Sequence, residues 1–234
     1  PEGCVLVDAD YSQIELRLLA HIAGDAEMQA AFRSGADFHT VTASRVFHVP
    51  PEQVTPELRR RAKAVNFGIV YGISAFSLAQ DIGVTVAEAK AYMERYFETY
   101  QGVRQYMTDV VEKAERDGYV QTLMHRRRAL PELKSSNFNL REFGKRVALN
   151  MPVQGAAADI IKLAMVRVHA RLQREGLRAR LLMQVHDELI VECPLSEQTQ
   201  VERLLTEEME RAASLSVPLI AEAHSGKNWL AAKE

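Results

Sequence analysis

Residues 181–191 read LLMQVHDELIV, two short and mainly apolar runs on either side of the polar residues His186, Asp187 and Glu188. Short apolar runs separated by a few polar residues are typical of a tight β-hairpin. We therefore expect strands over 181–185 and 189–191, joined by a bend at His186-Asp187. A carboxylate in such a bend is held at the edge of a rigid sheet.

A second apolar run lies near the N-terminus, where Cys4-Val5-Leu6-Val7 leads into Asp8-Ala9-Asp10. Its short length and β-branched residues predict a buried strand that ends just before Asp10. If this strand is a neighbour of the hairpin, Asp10 and Asp187 converge from distant parts of the chain. Such a pair of carboxylates can hold two Mg²⁺ about 3.5–4 Å apart for an in-line displacement at phosphorus. The pattern alone leaves open that Asp10 caps the next helix and that Asp187 only makes a turn.

Most of the intervening sequence has the 3.6-residue period of amphipathic helices. Helices are predicted over residues 12–23, 25–35, 37–47, 56–71, 74–82, 85–100, 103–117, 140–152, 155–175 and 197–213, with an interruption at Pro152. Strand-like stretches lie at 119–123, before a basic turn at 125–128, and at 218–223. The layout is a helical block inserted between pieces of a small sheet, so we predict an α+β fold.

The helix predicted over 56–71 contains a second candidate site. Arg59, Lys63 and Phe67 recur every four residues, and each step rotates only about 40° around a helix. They share one face, from which Tyr71 has rotated further. Two cations one turn apart can bind a triphosphate, and a nearby aromatic ring can pack on a sugar or base. A solvated basic face with aromatic residues in the core is the alternative.

Composition excludes several classes of protein. The chain has 234 residues, of which 47% are hydrophobic and 26% charged, so disorder and a collagen-like repeat are excluded. The two cysteines, Cys4 and Cys193, have no metal-ligand spacing, and we expect both to be reduced. The longest uncharged run, between Lys63 and Asp81, is too short and too polar for a membrane span. No nucleophile triad or zinc motif is present, and a net charge of -2 does not identify a nucleic-acid binder.

Three blocks in order resemble the motifs of DNA polymerase family A, the DNA polymerase I family. Asp10–Arg17, DYSQIELR, is similar to motif A. The pattern from Arg59 to Gly72, R-x3-K-x3-FG-x2-YG, is similar to motif B, and Val185–Glu188, VHDE, to motif C. Asn150–Asp159 also reads as family sequence, so the resemblance covers essentially the whole chain. It implies an antiparallel palm sheet backed by helices, with residues 1–36 and 143–234 in the palm and 37–142 in an inserted all-helical fingers subdomain.

The resemblance also implies roles for single residues. Asp10, Asp187 and the backbone carbonyl of Tyr11 would ligate two catalytic Mg²⁺ ions, with Glu188 in a supporting role. Lys63 would be a proton donor to pyrophosphate, and Glu15 a steric gate against ribose. The residues expected to bind the incoming dNTP are Gln13, Glu15, His39, Arg59, Lys63 and Phe67. Those expected to bind primer or template are Tyr71, Arg146, Gln154 and His186.

The family implies primer–template DNA and dNTPs as substrates and upstream thumb and palm segments as intramolecular partners. We expect a monomer in the bacterial cytoplasm, associated with the nucleoid and not with a membrane. The chain begins at Pro1, so we expect a piece of a longer polypeptide whose isolated activity is weak or absent, because duplex affinity depends on phosphate contacts in the thumb. His125 and His224 stand where the family usually has glycine.

Two other functions remain open from the sequence. A single-subunit RNA polymerase uses the same three-motif logic, although Glu15 and Phe67 favour DNA synthesis. A truncated DNA-binding module without activity is the other, and the intact Asp10, Lys63 and Asp187 argue against degeneracy.

Overall fold

In the sequence, strands near both ends of the chain flank a long helical segment. The computed structural model describes residues 1–233. In chain order its elements are β1 (Cys4–Tyr11), α1 (Ile14–Ile22), α2 (Ala26–Arg33), α3 (Phe38–Phe47), α4 (Pro56–Val70), α5 (Ala75–Ile82), α6 (Val86–Thr99), α7 (Gln101–Asp117), β2 (Tyr119–Gln121), β3 (Arg127–Ala129), α8 (Phe138–Arg174), β4 (Arg180–Val185), β5 (Glu188–Pro194), α9 (Gln198–Glu210) and β6 (Ala221–Gly226). The predicted α+β class, a small antiparallel sheet with a helical insertion, is confirmed.

The main sheet has the strand order β4-β5-β1-β6, and each neighbouring pair is antiparallel. Side chains alternate across β1, so Val5, Val7 and Ala9 are buried on one face, as expected for a period of two. Helix α9 packs against β1 and β6, and the Tyr11 hydroxyl donates a 2.7 Å hydrogen bond to the Met209 carbonyl. The other face of β1 presents Asp8 and Asp10.

Two compact units are separable in the fold, one of residues 1–14 with residues 156 onward and one of residues 15–155. The first unit contains the main sheet and α9. The second contains α2 to α7 and the small β2–β3 sheet. Its helices begin at side-chain caps: Asp25 accepts from the Met28 amide, and Thr85 and Glu88 form a capping box.

Several sequence-based boundaries were wrong, and three of them have a clear physical reason. β1 continues through Asp10 to Tyr11 instead of ending just before Asp10, because pairing with β5 and β6 extends the strand. Helix α8 is unbroken through Pro152, which is buried, so packing outweighs the hydrogen bond that proline removes. β6 begins at Ala221 and reaches Gly226, three residues beyond the predicted end, because its register with β1 sets its length.

The predicted basic turn is also partly wrong, since Arg127 and Arg128 belong to β3, which pairs with β2. The turn itself is shorter, and within it His125 has a positive φ of 62°. Both cysteines are free, and no described helix is both long enough and apolar enough to cross a bilayer.

Candidate active site

The polar face of the main sheet has a row of acidic side chains at one end. Asp10 of β1 is directly opposite Glu188 of β5 on one side and Glu222 of β6 on the other. Directly opposed residues of antiparallel strands point to the same face, with Cα atoms about 4.5–5.5 Å apart. Three adjacent strands therefore bring three carboxylates side by side.

Asp187 adds a fourth carboxylate from the β4–β5 hairpin. The two-residue loop places His186 at a φ of 51°, as the primed hairpin turns require at their first loop position. The Tyr11 amide donates a 3.2 Å hydrogen bond to the Asp187 carbonyl, which fixes the hairpin bend against the end of β1. The backbones of Asp10 and Asp187 are thus held within about 9 Å, one opposed pair plus one residue along the chain.

The carboxylates repel one another. Partial desolvation, and then the charges of Asp187, Glu222 and Glu188, raise the pKa of Asp10. Desolvation likewise raises the pKa of Asp187, and Glu188 adds to this effect. Like charges held together by a rigid scaffold favour a bound cation, because the cation removes the repulsion.

Glu188 is partly neutralised from within the same unit. Its Oε1 accepts a 2.6 Å hydrogen bond from Lys233 Nζ, while its Oε2 is buried and has no hydrogen-bond partner among the described residues. The Tyr11 side chain is buried and bonded to Met209, so only its main chain could serve as a ligand.

The donor set suits Mg²⁺. The carboxylates share one face of the sheet but do not form a ready-made ligand set, since no group of three or more His, Cys, Asp or Glu side chains that could hold a metal ion occurs in residues 1–233. Mg²⁺ is usually bound by one or two carboxylates, with water and substrate phosphates completing the shell, whereas Zn²⁺ needs a set of nitrogen or sulfur ligands. Asp10 and Asp187, with a backbone carbonyl at Tyr11, fit the first pattern.

The second group of predicted residues lies on α4 and α3, in the unit of residues 15–155, which we call the helical unit. Thr55 caps α4 by accepting from the Leu58 amide, and Pro56 occupies the first helical position. Arg59 extends from the first turns and makes two hydrogen bonds to Asp37, of 2.7 Å from Nε and 3.1 Å from Nη2. Burial alone would raise the pKa of Asp37, but the bonds from Arg59 and Thr40 lower it to about 2.

One turn further along α4, Lys63 is exposed, and no carboxylate in the described chain pairs with it. Phe67 follows on the same side and is half-buried. Its ring lies 5.9 Å from the buried ring of His39 and stacks on Tyr71 at 6.4 Å. The predicted face with two cations and an aromatic ring is therefore present in α4.

Tyr71 is tied to the first helix of the chain. Its hydroxyl donates a 2.5 Å hydrogen bond to Glu15 Oε2, which holds the Glu15 side chain beside the end of α4. Two glycines shape the chain at the end of α4: a Cβ at Gly68 would lie 2.8 Å from Ile73 Cγ2, and Gly72, which follows Tyr71, has a φ of 67°.

A cleft of about 650 Å³ opens beside the end of α4. Phe67, Tyr71, Gly72 and Ser74 line it, and the exposed Arg146 of α8 reaches it from the other side. The cleft is large enough for a nucleobase, and it offers aromatic faces together with a cation.

The remaining predicted residues are more scattered. Gln154 lines a separate cleft of about 280 Å³ with Arg128 and Asn150. The Gln13 side-chain oxygen is buried, and no hydrogen bond to it is found in the described part of the chain. His186 is exposed in the hairpin loop.

Sequence reasoning missed three polar residues at these sites. Glu222 is recognisable only from the β1–β6 register, which no local pattern predicts. Asn66 is hydrogen-bonded to His39, and this contact depends on the packing of α3 against α4, which no local pattern predicts. Asn150 could have been found, because it lies one helical turn before Gln154.

The chain is similar throughout to known polymerases. The sequence model of DNA polymerase family A matches residues 1–231. The chain is 55% identical over 225 residues to the DNA polymerase I of Bacillus caldotenax and 56% identical over 225 residues to that of Bacillus subtilis (strain 168). Each match covers 96% of this chain, which spans 26% of the relative's length.

A solved structure has the same fold. The POL domain of Pol1 from M. smegmatis, in complex with DNA primer-template and dNTP, superposes with a TM-score of 0.96 at 50% sequence identity. The match covers 100% of this chain and 41% of that one.

Proposed function

The chain belongs to DNA polymerase family A, and from this premise we propose that it forms the core of a template-directed DNA polymerase. The intact enzyme would add dNTPs to a primer 3′-hydroxyl and release pyrophosphate. Residues 1–36 and 143–234 would be the palm, and residues 37–142 the fingers. The chain spans only about a quarter of its curated relatives, so upstream palm and thumb segments would complete the enzyme.

Asp10 and Asp187, with the Tyr11 carbonyl, would hold two Mg²⁺ ions, which lower the pKa of the attacking hydroxyl and neutralise charge on the leaving pyrophosphate. Glu188 would support this site from the same sheet face. The rigid β1–β5 register would keep the carboxylates in place before substrate arrives, so that little reorganisation is needed in the reaction.

The helical unit would bind the incoming nucleotide. Arg59 and Lys63 would contact its phosphates, and Lys63 would donate a proton to the departing pyrophosphate. His39 would add a neutral hydrogen bond, since burial, together with Arg59 and Lys63, lowers its pKa to about 4 despite the opposing charge of Asp37. Phe67 would pack on the sugar and base, and Gln13 would contribute to the same nucleotide site.

Selection of sugar and base would also depend on these helices. Glu15, fixed by Tyr71, would occupy the space that a ribose 2′-hydroxyl needs. Tyr71 would fill the templating-base position until the fingers close, in an induced-fit scheme. Arg146, Gln154 and His186 would contact the primer–template duplex.

One observation carries the proposal: the register that pairs Asp10 with Glu188 and the bond from the Tyr11 amide to the Asp187 carbonyl. These contacts unite acidic residues 177 positions apart in the sequence, numbers 10 and 187, at one end of a sheet. If Asp10 only capped a helix, or if Asp187 only formed a turn, the two residues would not need to lie near each other.

The test is primer extension by the full-length polymerase with Asp187→Asn and with Asp10→Asn. We expect each change to lower the rate by more than about 100-fold, since even indirect supports of a metal site are worth 10–100-fold. Glu192→Gln is the matched control, because Glu192 lies on the same strand and pairs with Arg180 instead. Extension at the wild-type rate by either Asp variant would refute the proposal.

The isolated chain is expected to be far less active than the full-length protein. It lacks the upstream segments that would supply many phosphate contacts, and those contacts dominate duplex affinity. Equal rates for the two forms at 150 mM salt would contradict this expectation.

A further inference from the structure

A chain of buried polar side chains lies directly beneath the α4 face that carries Lys63 and Phe67. Asn66 is completely buried, and its Nδ2 lies 2.9 Å from Nδ1 of His39. Asn66 Oδ1 accepts a 3.1 Å hydrogen bond from the Thr42 hydroxyl. The Thr42 oxygen in turn lies 3.4 Å from the Tyr100 hydroxyl. Each of these groups is removed from water, so the direction of every bond is significant.

With the Asn66 amide oriented as it is in the structure, the chain of hydrogen bonds has one consistent direction. Tyr100 can donate to the Thr42 oxygen, which leaves the Thr42 hydrogen for the Asn66 carbonyl, as an amide oxygen can only accept. The Asn66 NH₂ group can only donate, so His39 Nδ1 must accept. A neutral imidazole that accepts at Nδ1 carries its single proton on Nε2, at the opposite edge of the ring.

The charges that face His39 agree with a neutral ring. Arg59 and Lys63 of α4 repel a proton, Asp37 before α3 attracts one, and burial opposes the charged form most strongly. A neutral N–H donor has an advantage at this place, because two cations already supply positive charge to a phosphate. A third cation would add repulsion within the nucleotide-free protein.

We infer that Asn66 is a positioning residue that holds His39 in the Nε2–H form and directs this donor to a phosphate of the incoming nucleotide. The claim that His39 binds a phosphate of the nucleotide rests on the function proposed above. The hydrogen-bond part does not, because it follows from contacts between α3 and α4 alone. Asn66 itself is fully buried and acts only through His39.

The tautomer can be read directly by long-range ¹H–¹⁵N NMR on the full-length polymerase labelled with ¹⁵N-histidine. The His39 signals are assigned by their loss in His39→Gln. We expect the pattern of an Nε2–H imidazole at pH 7.5, with Nδ1 unprotonated. In Asn66→Asp the new carboxylate can only accept, so we expect Nδ1 to become protonated and the ring to titrate at a higher pH. An Nδ1–H tautomer in the wild-type protein would overturn the inference, whatever the kinetics show.

Steady-state kinetics then test the positioning contact between Asn66 and His39 separately from the contact between His39 and a phosphate. We expect Asn66→Leu to raise KM for dNTP by about 3- to 10-fold, the effect of one misdirected hydrogen bond, with a smaller change in kcat. In a His39→Ala background the same change should leave KM unaltered, because Asn66 would have no side chain to position. An equal rise in both backgrounds would indicate a general effect of the buried amide and would also overturn the inference.

Failure of the proposed nucleotide role gives a different result. If His39 has the Nε2–H tautomer and loses it in Asn66→Asp, but neither His39→Gln nor Asn66→Leu changes KM, the positioning contact stands and the phosphate contact is refuted. Asn66→Ser is the second variant if Asn66→Leu does not fold, since its small hydroxyl leaves the site polar. Circular dichroism on each variant checks that the helices are retained.

Discussion

Glu15 is the residue at which the proposed selection against ribonucleotides can be tested. The hydrogen bond from Tyr71 leaves its carboxylate little freedom, so the side chain blocks space reproducibly. We expect Glu15→Ala to increase ribonucleotide incorporation by at least about 10-fold relative to dNTP incorporation, because a steric block is removed and no hydrogen-bonding site for the 2′-hydroxyl was needed. Competition between rNTP and dNTP in primer extension measures the ratio.

Glu27→Ala is a suitable control for that experiment, because Glu27 is exposed on α2. No gain in ribonucleotide use by Glu15→Ala would contradict the gate, and would reopen a ribonucleotide-using enzyme as the better description of the site.

Phe67 allows a second test of the nucleotide pocket. A tyrosine hydroxyl at this position could replace the hydrogen bond that is lost when a nucleotide has no 3′-hydroxyl. We expect Phe67→Tyr to improve the use of dideoxynucleotides by about 10-fold or more, as one hydrogen bond to a charged group can contribute 1.5–3 kcal/mol. Competition between ddNTP and dNTP measures it, with Phe138→Tyr as the control on an exposed ring. Unchanged discrimination would remove Phe67 from the sugar pocket.

At the scale of elements, Asp37 joins two helices. Its carboxylate caps α3 through the Thr40 amide and binds Arg59 of α4. Its pKa falls from 3.8 to about 2 on folding, so its contribution to stability is complete above about pH 4 and is lost as the pH falls through 2. Asp37→Asn keeps a good cap but removes the charge. We therefore expect a shallower loss of stability between pH 4 and pH 2 in this variant.

Denaturant unfolding at several pH values between 2 and 5 measures the effect of Asp37→Asn. Asp81→Asn, an exposed change on α5, is the control for the loss of one negative charge. An identical pH dependence in the wild-type protein and in Asp37→Asn would show that the ion pair contributes nothing.

The turn between β2 and β3 contains a residue with a strained backbone, and the energetic effect of this strain can be measured. His125 has a φ of 62°, a region that costs an L-residue roughly 1–2 kcal/mol, although its amide bonds well to the Thr122 carbonyl. We expect His125→Gly to stabilise the protein by about 0.5–1 kcal/mol, because relief of the strain exceeds the added entropy of the unfolded chain. Thermal unfolding would show a rise of about 1–4 °C.

His169→Gly, on the exposed side of α8, is the control. We expect it to destabilise the protein, because glycine in a helix is less favourable than alanine by about 1 kcal/mol. A destabilising His125→Gly would mean that the imidazole makes a contribution larger than the strain.

The ends of elements show what the sequence could predict. Helix starts at Asp25, Thr55 and Thr85 were predictable because a cap and the amides it binds lie within three residues of each other. The ends of β1 and β6 were not, since pairing with partners far away in the sequence decides them. The prediction at Pro152 was wrong for the same reason. The hydrogen bond that proline removes is a local effect, whereas the packing that outweighs it involves residues distant in the sequence.

The candidate site follows the same rule. The spacing of Arg59, Lys63 and Phe67 within one helix was sufficient to place them on one side. Residues alone left the roles of Asp10 and Asp187 open, and the metal-binding roles that the family resemblance implies for them stay predictions. Roles that depend on two elements meeting, such as those of Glu222 and Asn66, could be found only in the folded structure.

At the scale of the whole molecule, the residues that follow β6 form hydrogen bonds with the main sheet. After β6 the chain turns back so tightly that a Cβ at Gly226 would lie 2.5 Å from the Ala231 carbonyl carbon. Trp229 Nε1 donates a 2.8 Å hydrogen bond to Oδ2 of Asp8, and Lys233 lies 4.8 Å from the Trp229 ring while bonded to Glu188. The C-terminal segment therefore supplies partners to two carboxylates on the strands beside Asp10 and Asp187.

Removal of residues 227–234 should consequently weaken the sheet that holds the proposed metal site, although no strand is deleted. We expect a loss of about 2–3 kcal/mol, because Asp8 is buried and would keep no donor for Oδ2, and Glu188 would lose its cation. Denaturant unfolding followed by circular dichroism measures this in the full-length protein. Trp229→Phe keeps the ring and removes only the N–H, so it should account for about half of the loss. A truncated protein as stable as the wild type would show that β1, β5 and α9 alone hold the carboxylates in place.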